Sequence, residues 1–309
     1  MDSGTAYLRS SLRIALLALV LLALVRPATA VAEDPPFVGW SALLPGLSLP
    51  YDVTSPDDCI AGRVKCVDKV IGQMTKRFQP LASSCDHDAV FALTYLRTTE
   101  EYRRSVADGT FFRDTNFVNH QDAVFAQLYF DAYDSWHSGD VAATPPAWRV
   151  AFDAARRRLV TGTGNLLLGM SAHVNRDLAF ALADIGLVRP DGSSRKDDHD
   201  KVNQFLNRVM EPLLREAAAR FDPTIDDGQI SWTTLDETAL LQVLVAWRET
   251  AWRNAERLAM AKTAGERTLV AESIEAQAAA EARTIRLSTA YGPLQSSAAR
   301  DAFCAANHG

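Results

Sequence analysis

From Val64 onward, apolar side chains recur three and four residues apart, the spacing that gathers them on one face of a helix. Val67, Val70, Ile71, Met74 and Phe78 predict a first helix over 64–78, stopped ahead of Pro80. A second, starting near Asp86, turns Val90, Phe91, Thr94, Tyr95, Thr98 and Tyr102 inward. A third, starting near Asn116 or Asn119, presents Val124, Phe125, Leu128, Tyr129, Ala132 and Trp136. Thr144-Pro-Pro146 opens a fourth with Trp148, Phe152, Ala155 and Leu159 inside. The run from Leu166 to Ile185 differs from these in being apolar on nearly every side. It predicts a helix at the centre of the molecule, ended by Gly186. Thr161-Gly-Thr-Gly164, just before it, reads as a turn, since no strand or third glycine makes it a dinucleotide loop.

A polar loop over 189–196 leads to a helix near Asp198 that buries Val202, Leu206, Val209 and Leu213 and bends at Pro212. Two long helical runs follow, 235–262 and 266–289, stopped by Gly292-Pro293. Ile230 to Thr234 is the one strand candidate, and no repeat of fixed period occurs. The expected architecture is all-α, a single many-helix domain over 59–309.

The first 58 residues follow another pattern. Arg9 and Arg13 precede an unbroken apolar run from Ile14 to Val25, and Pro27-Ala-Thr-Ala30 supplies small residues for cleavage. This is the layout of an export signal over 1–30, cut near Ala30 or Ala32, and it implies a secreted protein. The run is shorter than the roughly 20 residues a membrane span needs, so no span is expected in the mature chain. Residues 31–58 are proline-rich and aperiodic and predict an extended arm laid over the domain.

Charge then narrows the partners. The chain carries 32 basic and 38 acidic residues, a net −6. Removing 1–30 takes away three arginines and one aspartate and leaves −8. Such a surface repels phosphate backbones, which excludes general nucleic-acid binding through a basic face. Cys59, Cys66, Cys85 and Cys304 all lie in the mature part, where an exported chain can oxidise them. Three pairings are possible. On one helix Cys59 and Cys66 would stand about 10.5 Å apart, too far for a bridge. Gly62 allows a turn that folds Cys59 back onto Cys66, leaving Cys85 for Cys304.

Histidine supplies the candidate chemistry. His87, His120, His173 and His199 each stand beside or near an aspartate: Asp86 and Asp88, Asp122, Asp177, and Asp198 and Asp200. Imidazole with carboxylate is a ligand pair for borderline metals, zinc above all. Three of these clusters also fall at expected helix starts, where aspartate serves as a cap. His173 and Asp177 do not. They lie four apart inside the buried helix, on one face, and a carboxylate there needs a metal, an arginine such as Arg176, Arg248 or Arg253, or a hydrogen-bond network. The metal reading gathers His87, His120 and His199 around His173 and Asp177. His199-Asp200 also resembles the His-Asp pair of the all-helical metal-dependent phosphohydrolases, with Asp222, Asp226 or Asp227 as the downstream carboxylate.

Four runs carry a closer resemblance: Cys85-Asp-His-Asp-Ala-Val-Phe-Ala-Leu-Thr-Tyr-Leu-Arg-Thr-Thr99, Val118-Asn-His-Gln-Asp-Ala-Val-Phe-Ala126, Leu166-Leu-Leu-Gly-Met-Ser-Ala-His-Val-Asn-Arg-Asp-Leu178 and Arg248-Glu-Thr-Ala-Trp252. Together the chain resembles a bacterial domain family of unknown function whose hallmark is Ala-His-Ile/Val-Asn-x-Asp-Leu on a helix. The resemblance implies a helical fold and sets His173, Asn175 and Asp177 at the signature positions. The chain is more distantly similar to zinc-dependent phospholipase C and the fungal single-strand-specific nucleases, exported all-α enzymes with His-x-x-x-Asp metal pairs. The leading expectation is a zinc-type phosphoesterase in which Asp177 ligates the metal or orients His173, with Asp177 and Asn175 as the catalytic candidates. The opposing expectation is a non-catalytic, disulfide-braced binding or cell-envelope protein whose His and Asp residues form a structural network.

Overall fold

A computed structural model describes residues 50–107, 109–225, 229–230, 233–234, 237–292 and 294–307. The expected export signal over 1–30 and residues 31–49 of the expected arm over 31–58 lie outside the described residues. From Pro50 to Arg63 the chain forms turns and bends, and helix then takes over.

Helix α1 spans Val64–Ser83, α2 Ala89–Ser105, α3 Thr115–His137 and α4 Pro146–Arg156. Next come α5 (Gly162–Ser171), a π-helical turn (Ala172–Asp177) and α6 (Leu178–Ile185), which form one continuous rod. The last elements are α7 (Lys196–Arg220), a 3₁₀ turn (Pro223–Ile225), α8 (Glu237–Met260), α9 (Ala264–Ser288) and α10 (Ala298–Asn307). The architecture is all-α, and the rod is its axis, packed by α4, α8 and α9.

Local chemistry accounts for most boundaries. Asp114 caps α3 by accepting the Phe117 N–H, Thr161 caps α5 through Gly164, and Thr263 with Glu266 forms a reciprocal capping box on α9. Gly186 ends the rod at φ 94°, a left-handed conformation that glycine adopts without strain. Asp198 lies in the first turn of α7, yet its carboxylate accepts the N–H groups of Arg113 and Asp114 and so ties α7 to the start of α3.

Several boundaries differ from the sequence reading. α1 runs through Pro80 instead of stopping before it, because the helix gives up only one donor there, the N–H that would serve the Lys76 carbonyl, while Leu81 and Ala82 beyond it continue the buried face. α3 begins at Thr115, capped by Asp114, so Asn116 and Asn119 are internal. Thr161-Gly-Thr-Gly164 is the start of α5, where Gly162 and Gly164 admit Asp222 and Thr289 at distances no Cβ would allow. The strand candidate is a two-rung antiparallel hairpin, Gln229 opposite Thr234 and Ile230 opposite Thr233.

Two disulfides close the covalent frame. Cys59 pairs with Cys66 across the Gly62 turn, and Cys85 pairs with Cys304, pinning α10 to the entry of α2.

Candidate functional site

The π turn coincides with Ala172-His-Val-Asn-Arg-Asp177, the segment that carries the sequence signature. Its register shows in the Leu178 N–H, which reaches back five residues to the His173 carbonyl. Single π turns inside α-helices are rare and concentrate at functional sites.

Asp177 is fully buried and is the hub of this segment. Its Oδ2 accepts from His173 Nδ1 at 2.9 Å and from the Trp148 indole Nε1 at 2.8 Å. Its Oδ1 accepts from Arg176 at 2.6 Å, and Arg176 Nε donates to Glu275 at 2.8 Å. Arg176 is thus the cation that balances Asp177. Arg248 serves elsewhere, and Arg253 is an exposed partner of Glu249 and Glu256. Burial pushes the Glu275 carboxyl up, against the pull of Arg176. Asn175 turns away from the hub and donates to Ser171 at 3.1 Å.

The hub fixes the chemistry of His173. Asp177 already accepts from an indole and a guanidinium, so Nδ1 of His173 carries the proton and donates to it. Burial, the largest influence, lowers the affinity of this imidazole for a second proton. The ring is therefore neutral and its Nε2 is a bare lone pair, without a partner in the structure. The imidazole stacks on Phe125, centroids 3.6 Å apart and 9° from parallel, and meets Tyr95 edge-on at 4.4 Å.

His173 borders a cavity of about 120 Å³ lined by α2, α3, the rod, α7 and α8. Its wall is dominated by apolar side chains, among them Phe91, Phe125, Phe205, Leu206 and Met210. Most of its polar groups are already occupied. Thr94, Thr98 and Thr99 return their hydroxyls to carbonyls of their own helix, and Arg248 donates to Asn203 and to the His199 carbonyl. Burial holds Arg248 down to about 10. Three residues that line it each hold a buried atom without a partner: His173 Nε2, Tyr95 Oη and Asp122 Oδ2. Desolvation pushes the Asp122 carboxyl up to about 7. Asp122 stands well inside α3, so its reading as a helix-start residue is corrected.

The other histidines are placed elsewhere. His87 accepts from Arg300 on Nδ1 at 3.0 Å and donates from Nε2 to Asp301 at 2.8 Å, with both nitrogens engaged and burial pulling it down to about 4. His199 donates from Nε2 to the Arg248 carbonyl at 3.2 Å, while its Nδ1 faces the Arg248 guanidinium. His120 donates from Nδ1 to the Cys59 carbonyl at 2.8 Å, and its unpartnered Nε2 belongs to clefts apart from the His173 cavity. The four imidazoles do not converge. Among the described residues no three His, Cys, Asp or Glu side chains form a group able to hold a metal ion. Asp222 accepts from the Gly162 N–H at 2.8 Å and from Thr224, while Asp226 and Asp227 lie outside the described residues.

Fold and site together define an all-α protein with a buried His–Asp pair beside an apolar cavity. The chain belongs to the family of unknown function DUF5995, whose model matches residues 67–288. No curated protein and no solved structure matches the chain. The matched span includes Tyr95, Asp122, His173, Asp177 and Glu275. The sequence reading missed Trp148, Glu275 and Tyr95 as site residues. The one signal, that a buried Asp177 demands donors, points to Trp148 alone.

Proposed function

We propose that this is an exported, disulfide-braced binding protein that encloses a small, mostly apolar molecule in the cavity beside His173. The observation that carries this reading is the conjunction of an apolar wall with three buried polar atoms that no protein group satisfies. Buried polar atoms are almost always paired, and an orphan costs about 1–3 kcal/mol, so three around one cavity favour a partner from outside the chain. The volume is close to that of engineered apolar cavities that take up benzene. Export is supported by the apolar run over 14–25 behind two arginines and by the two disulfides. Among the described residues no helix is long and apolar enough to cross a membrane.

The test is ligand-induced stabilisation. Benzene, toluene and indole, titrated into the purified oxidised chain, are expected to raise its melting temperature in proportion to occupancy, and xenon to perturb resonances of the cavity methyls. No shift with any apolar probe of that size overturns the reading.

A second reading, zinc-dependent phosphoester hydrolysis, draws on one observation. Asp177 holds His173 through Nδ1 and leaves Nε2 bare, as carboxylates hold metal-ligating imidazoles. Zinc would lower the pKa of a bound water there, with Asp177 orienting the ring. Against it, the described wall offers a phosphate dianion a single cation, Arg248, that is already engaged. Stoichiometric zinc in protein purified without chelator, with melting raised by added zinc, would establish this reading over the first.

A further inference from the structure

The unpartnered atoms also specify the ligand, provided the cavity is the binding site proposed above. His173 Nε2 can only accept, because Asp177 fixes the proton on Nδ1. Whatever satisfies it must bring a donor. Tyr95 Oη lacks a partner on the edge-packed neighbouring ring, and a phenolic hydroxyl most readily donates, so it asks for an acceptor. A hydroxyl group is the smallest unit that donates through its hydrogen and accepts through its lone pairs. A carboxylate or phosphate is disfavoured: it brings no donor for Nε2, it would face Asp122, and Arg248 is committed to Asn203 and the His199 carbonyl. Aromatic side chains, Phe91, Tyr95 and Phe125, surround the imidazole, which suits a flat carbon body over a long flexible one.

We infer that the ligand is a small neutral hydroxylated aromatic of about phenol size, its O–H donating to His173 Nε2 and its ring filling the apolar cavity. Asp122 Oδ2 stays available to a second polar substituent on the same ring.

Four probes of similar size separate the possibilities by calorimetry or thermal shift on the full oxidised chain at pH 7: phenol, benzene, anisole and benzoate. Phenol is expected to bind at least about fivefold more tightly than benzene, the worth of one buried neutral hydrogen bond. Anisole keeps the oxygen but loses the donor, so it should fall with benzene, and benzoate should not bind. In His173→Phe, which preserves the stack on Phe125 and removes the acceptor, the phenol-to-benzene ratio should drop below about twofold. If benzene binds and phenol binds no more tightly than benzene or anisole, the hydroxyl inference is overturned while the apolar cavity stands. If neither benzene nor phenol binds, the cavity reading fails and takes this inference with it. Should His173→Phe not fold, the phenol-to-anisole ratio on the unmodified chain decides alone.

Discussion

Replacing Asp177 by Asn keeps the side-chain shape and removes the charge at the hub. The carboxylate accepts three hydrogen bonds, from Trp148 at 2.8 Å, His173 at 2.9 Å and Arg176 at 2.6 Å, with no access to water. An amide has one accepting oxygen and one NH₂. If the NH₂ faces Arg176, a donor meets a guanidinium and the ion pair is lost. If it faces the other way, the indole and the imidazole both lose their acceptor. Bonds to a buried charge are each worth about 1.5–3 kcal/mol, and removing one member of a buried ion pair costs about 3–5 kcal/mol. A loss of about 3–5 kcal/mol is therefore expected, a large part of the roughly 5–15 kcal/mol typical of folded domains. Equilibrium guanidinium unfolding at pH 7 with disulfides intact measures it, followed by the fluorescence of the chain's six tryptophans. Trp148→Phe should cost about 1–2 kcal/mol alone and clearly less in the Asp177→Asn background, because that partner is already gone. A loss below about 1 kcal/mol for Asp177→Asn would refute the claim that the carboxylate is held by protein donors.

Other perturbations test separate parts of the structure. Loop entropy assigns about 5 kcal/mol to Cys85–Cys304, which spans 219 residues, and about 2.5 kcal/mol to Cys59–Cys66, which spans 7; paired Cys→Ala variants should fall in that order by chemical unfolding, and the reverse order would refute it. Asp122 titrates near 7 when folded against 3.8 as the ordinary value, so its contribution is greatest below about pH 3.8 and declines as pH rises through 7, by at most about 4 kcal/mol. Asp122→Asn should accordingly stabilise the chain more at pH 8 than at pH 5, and an equal effect at both would show that burial does not govern this carboxyl. At Gly169 a Cβ would overlap the Phe91 ring, so Gly169→Ala should cost about 1–3 kcal/mol despite alanine's better helix propensity; a stabilised variant in thermal melts would contradict that packing.

The faces of α2, α3 and α4 were legible because each pairs large apolar residues at helical spacing with a polar outer side. The central rod was legible for the opposite reason, its lack of a polar side. Pro80 misled because one missing donor does not end a helix whose buried face continues beyond it at Leu81 and Ala82. The site was only half visible. A buried Asp177 announced that it needed partners, and the neighbouring Arg176 was among the candidates. Trp148 lies 29 residues away and Glu275 lies 99 from Arg176, separations over which a single chain carries no pairing signal. Asp122 was hidden because Asn116 and Asn119 read as the start of α3, whereas the cap is Asp114 and Asp122 lies two turns in. The four histidines looked alike in sequence because each stands near aspartate, and only the tertiary partners on both ring nitrogens separate His87 and His199 from His120 and His173.

The Cys85–Cys304 bridge has a consequence for what proteolysis does to the molecule. Any single cut by a protease between residues 85 and 304 leaves two pieces joined by that bridge, so the chain stays one covalent body. The turns over 190–194 and 261–263, where such cuts would fall, can be severed without releasing either fragment. A nicked form would therefore run at full size on a non-reducing gel and separate into two bands only after reduction, with the His173 cavity still gathered from helices on both sides of the cut.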